Sequence, residues 1–197
     1  MKASFLERIG AYIIDTLIVS VIASLICYSL PNTDINVENT ISSLSQRYTA
    51  GEITTDEFYS EYNDLLYQNQ KDTLISTGVS LALTIGYFVV FQYMNKGQTL
   101  GKKLLNLRVV DKETKKPTTI VKGIIRSVIV LGIASTTISL ILINIVNKKT
   151  YIPCYFTISI IETIFIIVSL ILVIFKEDSR GLHDLMAGTM VIKERRW

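Results

Sequence analysis

The sequence predicts an all-α membrane protein: four transmembrane helices, N and C termini cytoplasmic, short interfacial helices and a small cytoplasmic two-stranded sheet. Three observations carry that prediction. The chain has 197 residues, 49% of them hydrophobic, and a mean hydropathy of +0.41. Its apolar residues gather into four runs, 9–30, 73–94, 120–146 and 151–175, each near the ~20 residues that a bilayer crossing needs. The basic residues between the runs are distributed unevenly. Only helices and closed barrels satisfy their own backbone in lipid, and barrel strands would alternate apolar with polar residues. These runs do not alternate.

The first run reads as an uncleaved helix. It is too long for the apolar part of a signal peptide, Asp15 interrupts it, and no small-x-small cleavage site follows. Leu25-Ile26-Cys27 resembles a lipoprotein cleavage site only faintly, because Ile26 is large for its place.

Orientation follows from lysine and arginine. Segment 95–119 carries Lys96, Lys102, Lys103, Arg108, Lys112, Lys115 and Lys116, and the tail carries Lys176, Arg180, Lys193, Arg195 and Arg196. Loop 31–72 is acidic, with Arg47 and Lys71 its only bases. Both termini and the middle loop are therefore expected inside and the acidic loop outside. Lys148 and Lys149 are a mild exception. The net charge of +3 reflects sidedness, and no nucleic-acid module accompanies it.

Loop 31–72 reads as an acidic extracellular helical hairpin inserted between the first two spans. Ile35, Ile41, Leu44 and Tyr48 recur at helical spacing, Ala50-Gly51 breaks the pattern, and Thr54/Thr55 with Asp56 and Glu57 open a second helix. That helix puts Phe58, Tyr62, Leu65 and Leu66 on one face. A solvated outer face accounts for its acidity better than a cation-concentrating role.

Two later segments match each other. Leu100-Gly101-Lys102-Lys103-Leu104-Leu105-Asn106-Leu107-Arg108-Val109-Val110 lies over Leu182-His183-Asp184-Leu185-Met186-Ala187-Gly188-Thr189-Met190-Val191-Ile192. Each is a short amphipathic turn, a small or polar residue, then a β-rich run, and each follows a span that re-enters the cytoplasm. Arg8 and Arg126 stand at the mouth of the first span of each half. The expectation is a parallel pseudo-repeat with the β-rich runs 107–111 and 189–193 paired. Both turns are expected to lie in the membrane interface, apolar residues in lipid and charges wet.

The candidate site residues are charges inside or beside the spans. Asp15 lies two turns after Arg8, about 10 Å along the helix axis. A charge deep in a bilayer costs at least ~2.5–3.5 kcal/mol, so it faces the bundle and finds a partner. Asp15 is then either an ion or proton site, or one half of a buried salt bridge with Arg126. Glu162 is the deepest acid, with no base at its depth, and needs a proton, water or a polar partner such as Asn144, Ser or Thr. Cys27 and Cys154 meet only if the first and fourth helices are neighbours, and each also reads as a small apolar residue. GQTLGK fails as a P-loop because Gly97 and Gly101 are too close and Lys103 replaces Ser or Thr. One His and two Cys do not make a zinc site. No enzyme, no metal and no cofactor are expected.

RIGAYIIDTLI, GQTLGKKLLNLRVVD and RGLHDLMAGTMVI, in that order and separated by spans, resemble the RDD family of prokaryotic membrane proteins. The resemblance covers nearly all the chain apart from 31–72. It makes Arg8 the family's Arg, and Asp15 and Asp184 its two Asp; Arg126 matches an Arg at the start of the third span. Glu162 and the acidic hairpin fall outside the pattern. What the resemblance implies is a multi-pass protein of the cell membrane. Transport is proposed for the family, with sodium/proton antiport for some members, and others look like accessory subunits. Arg8, Asp15, Arg126 and Asp184 fall at one membrane level, and Asp184 is expected to pair with an Arg and dock the tail. Two functions then compete. In the first, a cation/proton antiporter exchanges a monovalent cation and a proton at Asp15, with Glu162 passing protons, as a homo-oligomer because four spans are few. In the second, a scaffold or regulatory subunit for a partner membrane protein uses the charges for packing.

Overall fold

The computed structural model describes residues 2–30 and 36–194; Ile35, Arg195 and Arg196, used in the sequence argument, lie outside them. The first span is α1 (Phe5–Tyr28), opened by a capping box. The Ser4 Oγ accepts the Glu7 N–H, and the Glu7 carboxylate accepts the Ser4 N–H at 2.9 Å, so two N-terminal donors are satisfied reciprocally. The second span, Leu74–Met94, is built from α4 (Leu74–Ile85), a π-helical turn (Gly86–Phe91) and α5 (Gln92–Met94). The last is α9 (Lys148–Phe175).

The third apolar run departs from a straight helix. It divides into α7 (Ile120–Val130) and α8 (Ile133–Ile145), bent by 70°. The break is at Gly132, whose φ of 63° is left-handed, a conformation that costs other residues a Cβ clash. A Cβ there would also stand 2.5 Å from Glu162 Oε1. Three candidate spans are therefore unbroken, and the bent pair makes a fourth if it crosses as one.

The appendages repeat as the aligned segments predicted. Helix α6 (Leu100–Leu104) leads to β1 (Leu107–Asp111), and α10 (Leu182–Ala187) leads to β2 (Thr189–Lys193). Between helix and strand, Asn106 (φ 56°) and Gly188 (φ 64°) are both left-handed and occupy equivalent places. The strands pair antiparallel, Val109 opposite Val191 and Leu107 opposite Lys193. The shift that carries Leu107 onto Thr189 also carries Val109 onto Val191. A local twofold therefore passes through the Val109–Val191 pair. Each appendage docks on the first helix of its own half, α6 on α1 and α10 on α7. Leu107, Val109 and Val191 pack with Ala3 and Ala11 into the core at this end. The expectation of wet interfacial turns is corrected here. His183 and Asp184 are buried, because the turn folds back under the bundle rather than lying flat.

At the opposite end stand α2 (Val37–Thr49) and α3 (Thr55–Asp72). Thr54 caps α3 with Glu57 in a second capping box, Arg47 pairs with Glu61 at 2.8 Å, and Phe58 stacks on Tyr62. Tyr67 meets Tyr151 edge-on, and Lys148 pairs with Asp64, tying α3 to the start of α9. Around the bundle, α1 packs on α4, α4 on α8, α8 on α9, and α9 on α7. Helices α1 and α9 are not packed neighbours, so Cys27 and Cys154 do not meet. Both are free, and the Cys27 thiol faces the Ser76 carbonyl at 3.8 Å.

Candidate functional site

The structure separates the predicted charge cluster into two buried carboxylates at the sheet end, each held by its own set of donors. Asp15 has no exposed surface. Its Oδ1 accepts from the Tyr87 hydroxyl at 2.7 Å and the Gly101 N–H at 2.7 Å. Its Oδ2 accepts from the Thr99 hydroxyl, and Lys102 Nζ stands 3.8 Å away. The sequence explains this docking. Ala11 and Asp15 lie one turn apart on α1, and Gly101 packs onto that face; a Cβ on residue 101 would meet Ala11 O at 2.4 Å and Asp15 Cγ at 2.9 Å. Only glycine lets the backbone approach closely enough to donate to the carboxylate. The π-helical turn, a feature found often at functional sites, places Tyr87 beside Asp15, with its oxygen also accepting the Leu100 N–H at 3.1 Å.

The expected Asp15–Arg126 salt bridge does not form. Arg126 bonds Asp184 instead, and α6 takes the place beside Asp15. Lys102 is nearly enclosed, 14% of its side chain exposed. Its ammonium donates to Gln92 Oε1 at 2.8 Å and Thr99 Oγ1 at 3.2 Å. Burial, with Arg126 nearby, brings its pKa down to about 8.

Asp184 is the second fully buried carboxylate. Arg126 meets Oδ1, Arg8 meets Oδ2 at 3.3 Å, and the Thr189 hydroxyl donates at 2.9 Å. His183 Nε2 lies 3.4 Å from Oδ2, and Nδ1 is 2.7 Å from the Ser169 hydroxyl. Since the carboxylate only accepts, Nε2 carries the proton and Nδ1 accepts from Ser169. Burial holds His183 below its ordinary pKa, so the ring is neutral. Burial pushes the Asp184 carboxyl the other way, but Arg126, His183 and Arg8 outweigh it and hold the group below the usual carboxylate range. Arg180 closes the underside, donating to the Thr189 and Asp184 carbonyls at 2.8 and 2.9 Å. The tail turn is thus docked through Asp184 to an Arg from each half of the chain.

Glu162 stands apart, toward the hairpin end. Asn144 is not its partner; the Asn144 amide donates to the Leu140 carbonyl. Glu162 lies against Gly132 at the start of α8, where the first turn of a helix presents N–H groups and a positive dipole end. It lines a cavity of about 230 Å³ with Gln70, Thr77, Thr136, Ser139 and Ser159. That cavity shares Thr77 and Thr136 with a groove that also holds Ser76, Ser80 and Thr84. A third groove shares those three hydroxyls and reaches Tyr12, about one helix turn before Asp15, and Thr16, the residue after it. A string of hydroxyl-lined spaces therefore runs along the bundle from the Asp15 level to Glu162.

Sequence reasoning reached Arg8, Asp15, Arg126, Asp184 and Glu162 but missed Tyr87, Thr99, Gly101, Lys102, His183 and Ser169. Thr99 and Gly101 flanking a short helix were the available signal, read as an interfacial turn. A model of the RDD family matches residues 2–188, nearly the whole chain. No curated protein and no solved structure matches it. The chain belongs to the RDD family and is a multi-pass membrane protein.

Proposed function

We propose that this RDD-family protein exchanges a monovalent cation for a proton, with Glu162 as the exchanging carboxylate and the sheet end facing the cytoplasm. The observation that supports the reading is the hydroxyl-lined string of cavities that ends at Glu162 beside the broken third span. Ser, Thr and Gln oxygens replace the hydration shell of a small cation, and a carboxylate beside them offers the site that cation and proton take in turn. Broken spans with helix ends at the site are a recurrent arrangement in secondary transporters. The grooves open on the flank of the bundle between α1 and α4, and a second copy of the chain supplies the missing wall in this reading.

Asp15 is a poor exchanging group by the same reasoning. A carboxylate has about four lone-pair directions, and three hydrogen bonds and a lysine already occupy them. Asp15 and Asp184 act as docking charges, the role the scaffold reading gave them, while Glu162 carries the exchange. The test is ion-driven proton flux in proteoliposomes, with a pH dye inside and pulses of Na⁺, K⁺ or Li⁺ outside. Wild type drives flux with at least one cation, and Glu162→Gln abolishes it while unfolding at the wild-type temperature. Flux that survives Glu162→Gln removes this carboxylate from the mechanism. Absence of flux from correctly inserted wild type defeats the antiport reading for these ions.

A further inference from the structure

At the sheet end the bundle is open between α1 and α9, away from the Glu162 cavity. A cavity of about 300 Å³ lies between α1 and α9, with Ser127 and Val130 of α7 at its back. Its floor is the sheet, and its two walls are unlike. Phe5 and Ile9 of α1 face Leu170 of α9 across an apolar slot, and Arg8, Lys102 and Arg126 line the inner end. Leu170 remains 43% exposed, so the slot is open at the flank of the bundle, where acyl chains run.

The charge there is unbalanced. Four cations, Arg8, Lys102, Arg126 and Arg180, meet three carboxylates, Asp15, Asp184 and Asp178, and His183 is neutral. Arg8 spends one terminal nitrogen on Asp184 and the other on the Val191 carbonyl at 3.4 Å. Its Nε–H is buried with no acceptor among the described residues, and its side chain is 12% exposed. A buried donor of a charged group left unpaired costs more than an ordinary missing bond, so the arrangement lacks one anionic acceptor. An apolar slot with an uncompensated basic end, at the level where headgroups lie, is complementary to an amphiphile of one negative charge.

We infer that this cavity binds an anionic membrane lipid, its phosphate headgroup at Arg8, Lys102 and Arg126 and an acyl chain between α1 and α9. A phosphate at this end balances the remaining cation and relieves the short supply of acceptors around Arg8. The acyl chain covers Phe5, Ile9 and Leu170.

The test uses full-length protein in neutral detergent, read by thermal unfolding and by native mass spectrometry. The probes are phosphatidylglycerol, phosphatidylcholine and inorganic phosphate, each titrated. The expected result is saturable stabilisation by phosphatidylglycerol with one lipid retained, and none from the other two. Arg8→Gln removes the unpaired donor, and Leu170→Trp fills the slot without touching a charge. Each is expected to weaken the phosphatidylglycerol response by about tenfold, equivalent to 1.4 kcal/mol. If Arg8→Gln does not fold, Leu170→Trp alone decides. Equal stabilisation by phosphatidylcholine would overturn the charge argument. Stabilisation by inorganic phosphate alone would reduce the site to a soluble-anion site. An anionic-lipid response unchanged in Leu170→Trp would put the lipid elsewhere.

Discussion

Asp184→Asn is the sharpest test of the docked tail. The substitution keeps the shape of the side chain and removes its charge. In the wild type, the carboxylate is fully buried and pairs with two guanidinium groups whose side chains are 12% and 14% exposed. The asparagine oxygen serves one of them, and the amide N–H₂ turns donors toward the other. Removing one partner of a buried ion pair costs about 3–5 kcal/mol. For a chain of this size, 1 kcal/mol moves the unfolding temperature by about 2–4 °C, so a fall of roughly 6–20 °C is expected. Cys27 and Cys154 are both free and partly buried, which makes a thiol-reactive dye a direct reporter of unfolding. Limited trypsin treatment reads the tail itself, since Lys176 and Arg180 flank the docked turn. The pH dependence has a definite sign. Folded Asp184 holds its proton more weakly than the unfolded residue. Its contribution is therefore complete above about pH 4, the ordinary aspartate value, and is lost as pH falls below it. Asp184→Asn lacks that acid limb. A fall of less than about 2 °C, near what 1 kcal/mol or less would produce, with tail proteolysis unchanged, would refute the lock.

Gly101→Ala is expected to lever α6 off α1, because the new Cβ meets the Ala11 carbonyl and the Asp15 carboxylate. The cost of such overpacking is about 1–3 kcal/mol, read as a lower unfolding temperature and faster amine labelling of Lys102; unchanged labelling would show that the close approach is not needed. Lys102 gives the base limb. Its folded pKa, about 8, lies below the ordinary lysine value of about 10.4, so the unfolded chain binds more protons between those values and stability rises with pH across that window. Lys102→Gln is expected to remove that rise, and identical pH profiles for the two proteins would count against a buried lysine.

The spans, the appendages and the hairpin caps were legible because each is local. Apolar runs, a Thr-x-x-Glu box at Thr54 and a turn followed by a strand are read from neighbouring residues. The Asp184–Arg pairing was legible because Arg8, Arg126 and the HDLM turn share one membrane level. The partners of Asp15 were not. Tyr87, Thr99 and Gly101 reach it from 72 to 86 residues away, and their arrival depends on α6 folding back onto α1. Nor was the break in the third span. One glycine in an apolar run is a weak signal, and what demands glycine at 132 is the left-handed turn together with a carboxylate thirty residues later.

The two appendages match in their order of elements and oppose each other in charge. The shift that superposes the appendages puts Lys102 over Asp184. In the first half the acid is on the span, at Asp15, and the base is on the appendage. In the second half the base is on the span, at Arg126, and the acid is on the appendage. A swap would bring Lys102 against Arg126 and Asp184 against Asp15, two like-charge contacts in a buried setting, where repulsion is strongest. Similar helices on similar spans are thereby held to one pairing. Arg8 is the exception that joins the halves, since it rises from α1 yet bonds Asp184 of the second appendage. Its Nε–H is left without an acceptor among the described residues, because both terminal nitrogens are committed to Asp184 and the Val191 carbonyl.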